Sequence, residues 1–343
     1  MIEPTNATPI SELGEFAFIR HLTENFSLKL SSSVLGVGDD AAVVKYAKRK
    51  TVISTQLFTE GVHFNLMYFP LKHLGYKAVV ATISNIYAMN ATPRHILVSI
   101  GISEKFSVEA VDELYSGIAA ACDYYDIDLV GGDTTASVTG MVINITAVGE
   151  ADKEQLIYRK GALKNDLICV TGDLGGAYMG LQLLNRENEV FKTNPNFRPQ
   201  FEGYDYILHR QLKPEARKDI SDIFKKLEIT PTSMIDISDG LSSDIMQICK
   251  ASELGCRIYE EKIPMDQTTI NMGAELNMNP IVAALNGGDD FEMLFTIPIK
   301  YHDKVKNNPD ITVIGHMTDA SEGICLVATG GSEIPLTAQG WKE

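Results

Sequence analysis

The chain has 343 residues, 45% of them hydrophobic and 22% charged, an ordinary globular composition with enough length for two cores. Thirty basic residues against 45 acidic ones leave a net charge of −15, which argues against a nucleic-acid partner needing a basic stripe. No apolar run approaches the roughly 18 residues of a membrane span. Met1-Ile2-Glu3-Pro4 has neither a basic start nor an apolar signal core, so the expected location is cytoplasmic. The five cysteines (Cys122, Cys169, Cys249, Cys256, Cys325) form no C-x-x-C pair and read as buried free thiols.

In chain order, residues 51–55, 96–100 and 141–148 read as strands, the last combining β-branched residues with partial alternation. Residues 71–90 are apolar nearly throughout and predict a buried helix. Residues 107–125 predict another, with Ser107 as N-cap and Val108, Val111, Leu114, Tyr115, Ile118 and Cys122 on one stripe. The text turns polar near 150–155, where a boundary is expected. Residues 166–171 then read as a strand leading through Gly172-Asp173-Leu174-Gly175-Gly176 into a helix to about 185. Residues 186–212 show no clear period and read as an excursion, and Pro214 is expected to open a helix at its first position. Beyond it come a strand at 234–237, a helix at 242–251, and strands at 293–297, 312–314 and 324–328. The fold class is α/β, of mixed α+β character, with domains expected at 1–150 and 151–343.

Five segments share one design, a hydrophobic strand ending where a carboxylate stands beside glycine. They are Gly36-Val37-Gly38-Asp39-Asp40, Gly131-Gly132-Asp133-Thr134-Thr135, 171–176, Asp236-Ile237-Ser238-Asp239-Gly240, and Gly287-Gly288-Asp289-Asp290. Glycine lets a backbone approach a ligand closely, and carboxylates are hard oxygen donors suited to Mg²⁺ that shares its shell with phosphates. An Asp bonding its own turn is the ordinary reading of any one segment. Five together make that a poor joint explanation. Neither a G-x-x-x-x-G-K-[ST] loop nor a complete dinucleotide fingerprint is present, and no zinc or nucleophile-elbow spacing appears.

The ordered motifs GVGDDAAV (36–43), ISTQLFTEGVHF (53–64), LGYKAVVATISNIYAMNATP (74–93), GGDTT (131–135), YRKGALKNDLICVTGDLGGA (158–177), MIDISDGLSSD (234–244) and NGGDDFEMLFT (286–296) resemble thiamine-monophosphate kinase. That family lies in the aminoimidazole ribonucleotide synthetase-like superfamily, and the likeness runs from Glu12 to Trp341. It implies two α/β domains, an N-terminal one (1–150) for ATP, metal and dimerisation and a C-terminal one (151–343) completing a shared cleft. It also implies a homodimer whose N-terminal sheets pair into a barrel.

By position, the resemblance implies metal ligands at Asp40, Ser54, Thr55, Asp133, Asp236 and Asp239, of which Asp40, Asp133 and Asp239 carry catalysis. It implies ATP contacts from Gly132, Asp133, Arg159 and Ser238, and thiamine phosphate contacts from His63, Asp289 and Trp341. Mg²⁺ and ATP are the implied cofactor and co-substrate, with no nucleic acid or membrane partner. Taken alone, His63 reads as a satisfied structural histidine, Arg159 as a solvated surface group and Trp341 as a packing cap. Stacking on a cationic aromatic ligand is the functional reading of Trp341.

The sequence departs from the family pattern at Gln56 and Asn85, where aspartate metal ligands are usual, and more mildly at Asp289 for Glu and Phe291 for Tyr. Two lost carboxylates weaken charge neutralisation, the main demand of phosphoryl transfer to an anionic acceptor. A non-catalytic relative binding nucleotide or thiamine phosphate, and a superfamily enzyme with another acceptor, are the alternatives to an ATP-dependent kinase making thiamine diphosphate by in-line transfer.

Overall fold

The computed structural model describes residues 21–35, 43–45, 49–194, 196 and 198–338. Two units separate: the described residues up to Ile86 with Ala91–Gln155, and Tyr87–Asn90 with the described residues from Leu156 onward.

The first unit holds the short pair β1 (Ser33–Leu35) and β2 (Val43–Val44), then β3 (Lys50–Thr59), α1 (Leu71–Ala88), β4 (Thr92–Ile102), α2 (Val108–Tyr125), β5 (Asp128–Ala136) and β6 (Val142–Ala151). Its four-stranded sheet has the order β3-β6-β4-β5, parallel only between β4 and β5. Alternation puts Ile96, Val98, Ile100, Ile143, Ile145 and Ala147 into the core with α1 residues such as Ile83 and α2 residues such as Leu114. Ser107 caps α2 as expected, accepting the Ala110 N–H at 3.3 Å. The opposite sheet face carries Ile53, Thr55, Leu57, Asn144, Thr146 and Val148, and Ile53 and Leu57 are 66% and 53% exposed.

The GGDTT segment, expected to follow a strand as a turn, lies inside β5. The reason is steric. A Cβ on Gly132 would collide with the Val98 carbonyl, so glycine lets β5 run against β4 at that point.

The second unit contains β7 (Leu167–Thr171), α3 (Gly176–Thr193), α4 (Asp205–Leu212), α5 (Ile220–Leu227), β8 (Ser233–Asp236), α6 (Leu241–Ser252) and β9 (Leu254–Tyr259). It continues with α7 (Gln267–Glu275), α8 (Pro280–Asn286), β10 (Met293–Ile297), α9 (His302–Val305), β11 (Ile311–Asp319), β12 (Ile324–Val327) and β13 (Glu333–Pro335). The seven strands order as β13-β12-β9-β11-β7-β10-β8, and β10 pairs antiparallel with both β7 and β8. One core packs α6 and α8 on this sheet, while a smaller cluster joins α3, α4, α7 and α8. Residues 186–212 are no excursion: α3 continues to Thr193, and α4 follows. Pro214 opens no helix, because the chain runs irregularly until α5 and commits Arg217 to Glu292 and Asp219 on the way. All five cysteines are buried free thiols.

Candidate active site

In the second unit, three of the acidic glycine turns form one structure. Asp289 and Phe291 donate their backbone N–H groups to the carbonyls of Ser238 and Ile237, both at 2.9 Å, and Ile237 returns a bond to the Glu292 carbonyl at 2.8 Å. The turns interlock. A Cβ on Gly288 would stand 2.5 Å from the Ser238 carbonyl oxygen, and one on Gly240 would stand 2.8 Å from that of Leu285. Gly288 and Gly240 have φ of +71° and +100°, the region that favours glycine. The third turn joins through Gly175, whose N–H donates to the Asp290 carboxylate at 2.9 Å.

The carboxylates of these turns divide into two sets. Asp173 accepts the Tyr206 hydroxyl at 2.6 Å, and Glu292 is held by Thr171 at 2.6 Å, Arg210 at 3.0 Å and Arg217 at 3.2 Å. Asp290 is fully buried, and burial pushes its carboxyl up to about 7 against the pull of Arg210. Burial also raises the Asp173 carboxyl, opposed by the Tyr206 hydrogen bond. These acids, none of them among the expected metal ligands, are engaged by the protein's own side chains and backbone. Asp239, by contrast, is exposed, and Ser238 and Asp289 are half-buried beside it.

At the start of α6, Asp244 accepts the Asp239 N–H at 3.2 Å. Burial first, then the charges of Asp236 and Asp239, push its carboxyl up to about 8. The carboxylates of Asp236 and Asp239 are thus near enough to Asp244 to favour its protonated form, and carboxylates are donors of the kind a hard cation such as Mg²⁺ takes. Among the described residues, no group of three or more His, Cys, Asp or Glu is arranged to hold a metal ion by itself.

Arg159 is exposed, and its carbonyl accepts Ser252 Oγ at 3.4 Å. Ser252 ends α6, and Ser238 and Asp239 lie just before its first residue, so the two ATP-contact candidates Arg159 and Ser238 stand toward opposite ends of that helix.

In the first unit, neighbouring Ser54 and Thr55 point to opposite faces of β3. Thr55 Oγ1 bonds Thr146 at 3.0 Å and Asn144 at 3.1 Å on the open face. Asp133, level with Ser99, shares that face and is exposed. Ser54 and Gln56 share the other face, on the core side of the sheet. Gln56 Oε1 is buried with no hydrogen-bond partner, while Asn85 Nδ2 donates to the Ala81 carbonyl at 3.2 Å. His63 accepts the Thr59 N–H on Nδ1 at 3.1 Å and packs edge-on to Phe58, presenting an exposed ring. Asp40 and Trp341 lie outside the described residues.

The family model "AIR synthase related protein, N-terminal domain" matches residues 38–151. The match covers β2 to β6 of the first unit, and the class of the whole chain is shown by its relatives. The thiamine-monophosphate kinase of Aquifex aeolicus is 32% identical over 336 residues, covering 97% of this chain and 99% of that one. Among solved structures, thiamine-monophosphate kinase from Stenotrophomonas maltophilia K279a superposes with a TM-score of 0.78 at 26% identity, over 92% of this chain and 96% of that one. AaThiL complexed with AMPPCP and TMP follows at 0.72 and 30%, over 96% and 97%. The chain belongs to the thiamine-monophosphate kinase family and is a kinase.

Proposed function

We propose that this kinase transfers the γ-phosphoryl group of ATP directly to thiamine phosphate, giving ADP and thiamine diphosphate. The observation carrying the reading is the interlocked pair of turns that presents Ser238, Asp239 and Asp289 together, in a chain similar over nearly its whole length to kinases of that name. AMPPCP, bound by AaThiL, is an ATP analogue, and TMP in a kinase of that name is thiamine monophosphate. An oxygen of the acceptor phosphate attacks the γ-phosphorus while the bond to the β-bridging oxygen breaks. That acceptor oxygen is already ionised, so no strong base is required.

Asp40, Asp133, Asp236 and Asp239, with Ser54 and Thr55, are assigned to Mg²⁺, which would supply neutralising charge to the phosphates. Gly132, Asp133, Arg159 and Ser238 are assigned to ATP; the planar guanidinium of Arg159 matches phosphate oxygens. His63, Asp289 and Trp341 are assigned to thiamine phosphate, Asp289 by charge toward the thiazolium and Trp341 by stacking.

The half-apolar open face around Ile53 and Leu57 supports a homodimer in which the first unit's sheets pair into a barrel. Five unpaired thiols suit a reducing cytoplasm. The dimer role is assigned to the first unit, while metal, ATP and acceptor residues are assigned in both units. Turnover with γ-labelled ATP against thiamine phosphate, aminoimidazole precursors and other phosphate acceptors tests the reading. Label must appear in thiamine diphosphate; transfer to a different acceptor alone would overturn it.

A further inference from the structure

We propose that Arg210 is a positioning residue for the acceptor, holding the Gly287–Glu292 turn so that Asp289 stands beside Ser238. The proposal rests on the assignment of Asp289 to thiamine phosphate. Arg210 lies on α4, and its side chain is 13% exposed. One guanidinium nitrogen donates to Glu292 at 3.0 Å. The other reaches the backbone carbonyls of Asp173 at 2.9 Å and Asp290 at 3.3 Å, with the Asp290 carboxylate 3.6 Å away. Burial works against its charge, but Glu292 and Asp290 hold its pKa above the ordinary arginine value. A single planar fork therefore ties two glycine turns and two buried acids together.

The turn needs an external hold. Gly288, Asp289 and Phe291 have φ of +71°, +60° and +53°, and the last two are conformations that side-chain-bearing residues rarely adopt. Such geometry persists only where surrounding contacts over-determine it. Arg217 also pairs with Glu292, but its other bonds go to Asp219, and it makes no bond to the turn's backbone. It serves as the control for a purely structural salt bridge.

The full chain is compared with Arg210→Lys, Arg210→Met and Arg217→Met by thermal melting, amide hydrogen exchange at Asp289 and Phe291, and KM for each substrate. Arg210→Lys, which keeps the charge but loses the fork, and Arg210→Met should speed exchange at both amides by on the order of 10-fold. They should raise KM for thiamine phosphate about 10- to 100-fold while leaving KM for ATP within about twofold. Arg217→Met should lower the melting temperature yet leave both amides and both KM values near the parent. If Arg210→Met does not fold, Arg210→Lys decides alone. Parent-like exchange at Asp289 and Phe291 in a folded Arg210 variant, or an equal rise in both KM values, overturns the proposal. A parent that does not use thiamine phosphate removes the acceptor assignment, and with it the proposal as stated; the exchange data then report only whether Arg210 holds the turn.

Discussion

Replacing Gly288 by alanine separates two costs that the structure allows to be measured one at a time. The first is conformational. At φ +71° an L residue costs about 1–2 kcal/mol, which for a unit of this size corresponds to a melting shift of about 2–8 °C. The second is steric. The new methyl would lie 2.5 Å from the Ser238 carbonyl oxygen, which must retreat by about half an ångström or more, and at contact distance, 3.4 Å, from Asp239 Cα. Because a misplacement of about 1 Å costs about 100-fold in rate, the expected loss of turnover is on the order of 10-fold. Gly203→Ala is the control: its φ is +85°, and nothing lies within 4 Å of the added methyl. Both variants are followed by thermal melting and by turnover with ATP and thiamine phosphate. Gly203→Ala should show the thermal loss with parent kinetics, and Gly288→Ala should show both losses. If the two variants melt alike and turn over alike, the interlock has no part in placing Ser238 and Asp239.

The Gln56→Asp, Asn85→Asp double variant replaces two side-chain amides, one of them with a buried oxygen lacking a hydrogen-bond partner, by carboxylates, so half-saturation by Mg²⁺ should fall by on the order of 10-fold and turnover should rise. An unchanged Mg²⁺ titration would show that neither side chain faces the metal. Asp290 keeps its proton in the folded chain up to about pH 7, whereas the unfolded carboxyl releases it near 3.9, so the folded state binds more protons across that window. Stability should therefore fall as pH rises from about 4 to 7, by at most about 1.4 kcal/mol per unit from this group, and level off above. Asp290→Asn should flatten that slope in urea melts; an identical slope in the variant would refute the assignment. Ile53→Asp with Leu57→Asp should convert a dimer to a monomer by light scattering, and a parent that is monomeric at every concentration would remove the barrel proposal.

Much of the regular structure is visible in local pattern. Residues 293–297 form a strand with the expected bounds, and Ser107 caps α2 because its hydroxyl needs only a neighbour three residues on. What local pattern hides is partnership over distance. Asp173 and Asp290 look like Asp239 and Asp289 in the text, yet they turn inward, because Arg210 and Tyr206 from α4 meet them. Helix α4 shows no such stripe in the sequence, since its buried residues are Ile207 and Gln211, and a glutamine in the core breaks the apolar pattern. The short strand β9 escaped for a related reason: Arg257 interrupts its apolar run and bonds Glu333, in β13. The glycines of GGDTT look like turn formers in the sequence, whereas Gly132 serves to admit the neighbouring strand.

The interlocked turns also bear on when this site comes into being during folding. Thr171 meets Glu292 across 121 residues of chain, and Gly175 meets Asp290 across 115. Closing loops of that length is entropically costly until the intervening strands and helices have condensed, so contacts of this span form late. A nascent chain that has emerged only as far as α6 therefore carries Ser238 and Asp239 without the turn that props them. The site is a late product of synthesis, and Arg210 and Arg217 lack their partners Asp290 and Glu292 until β10 inserts between β7 and β8.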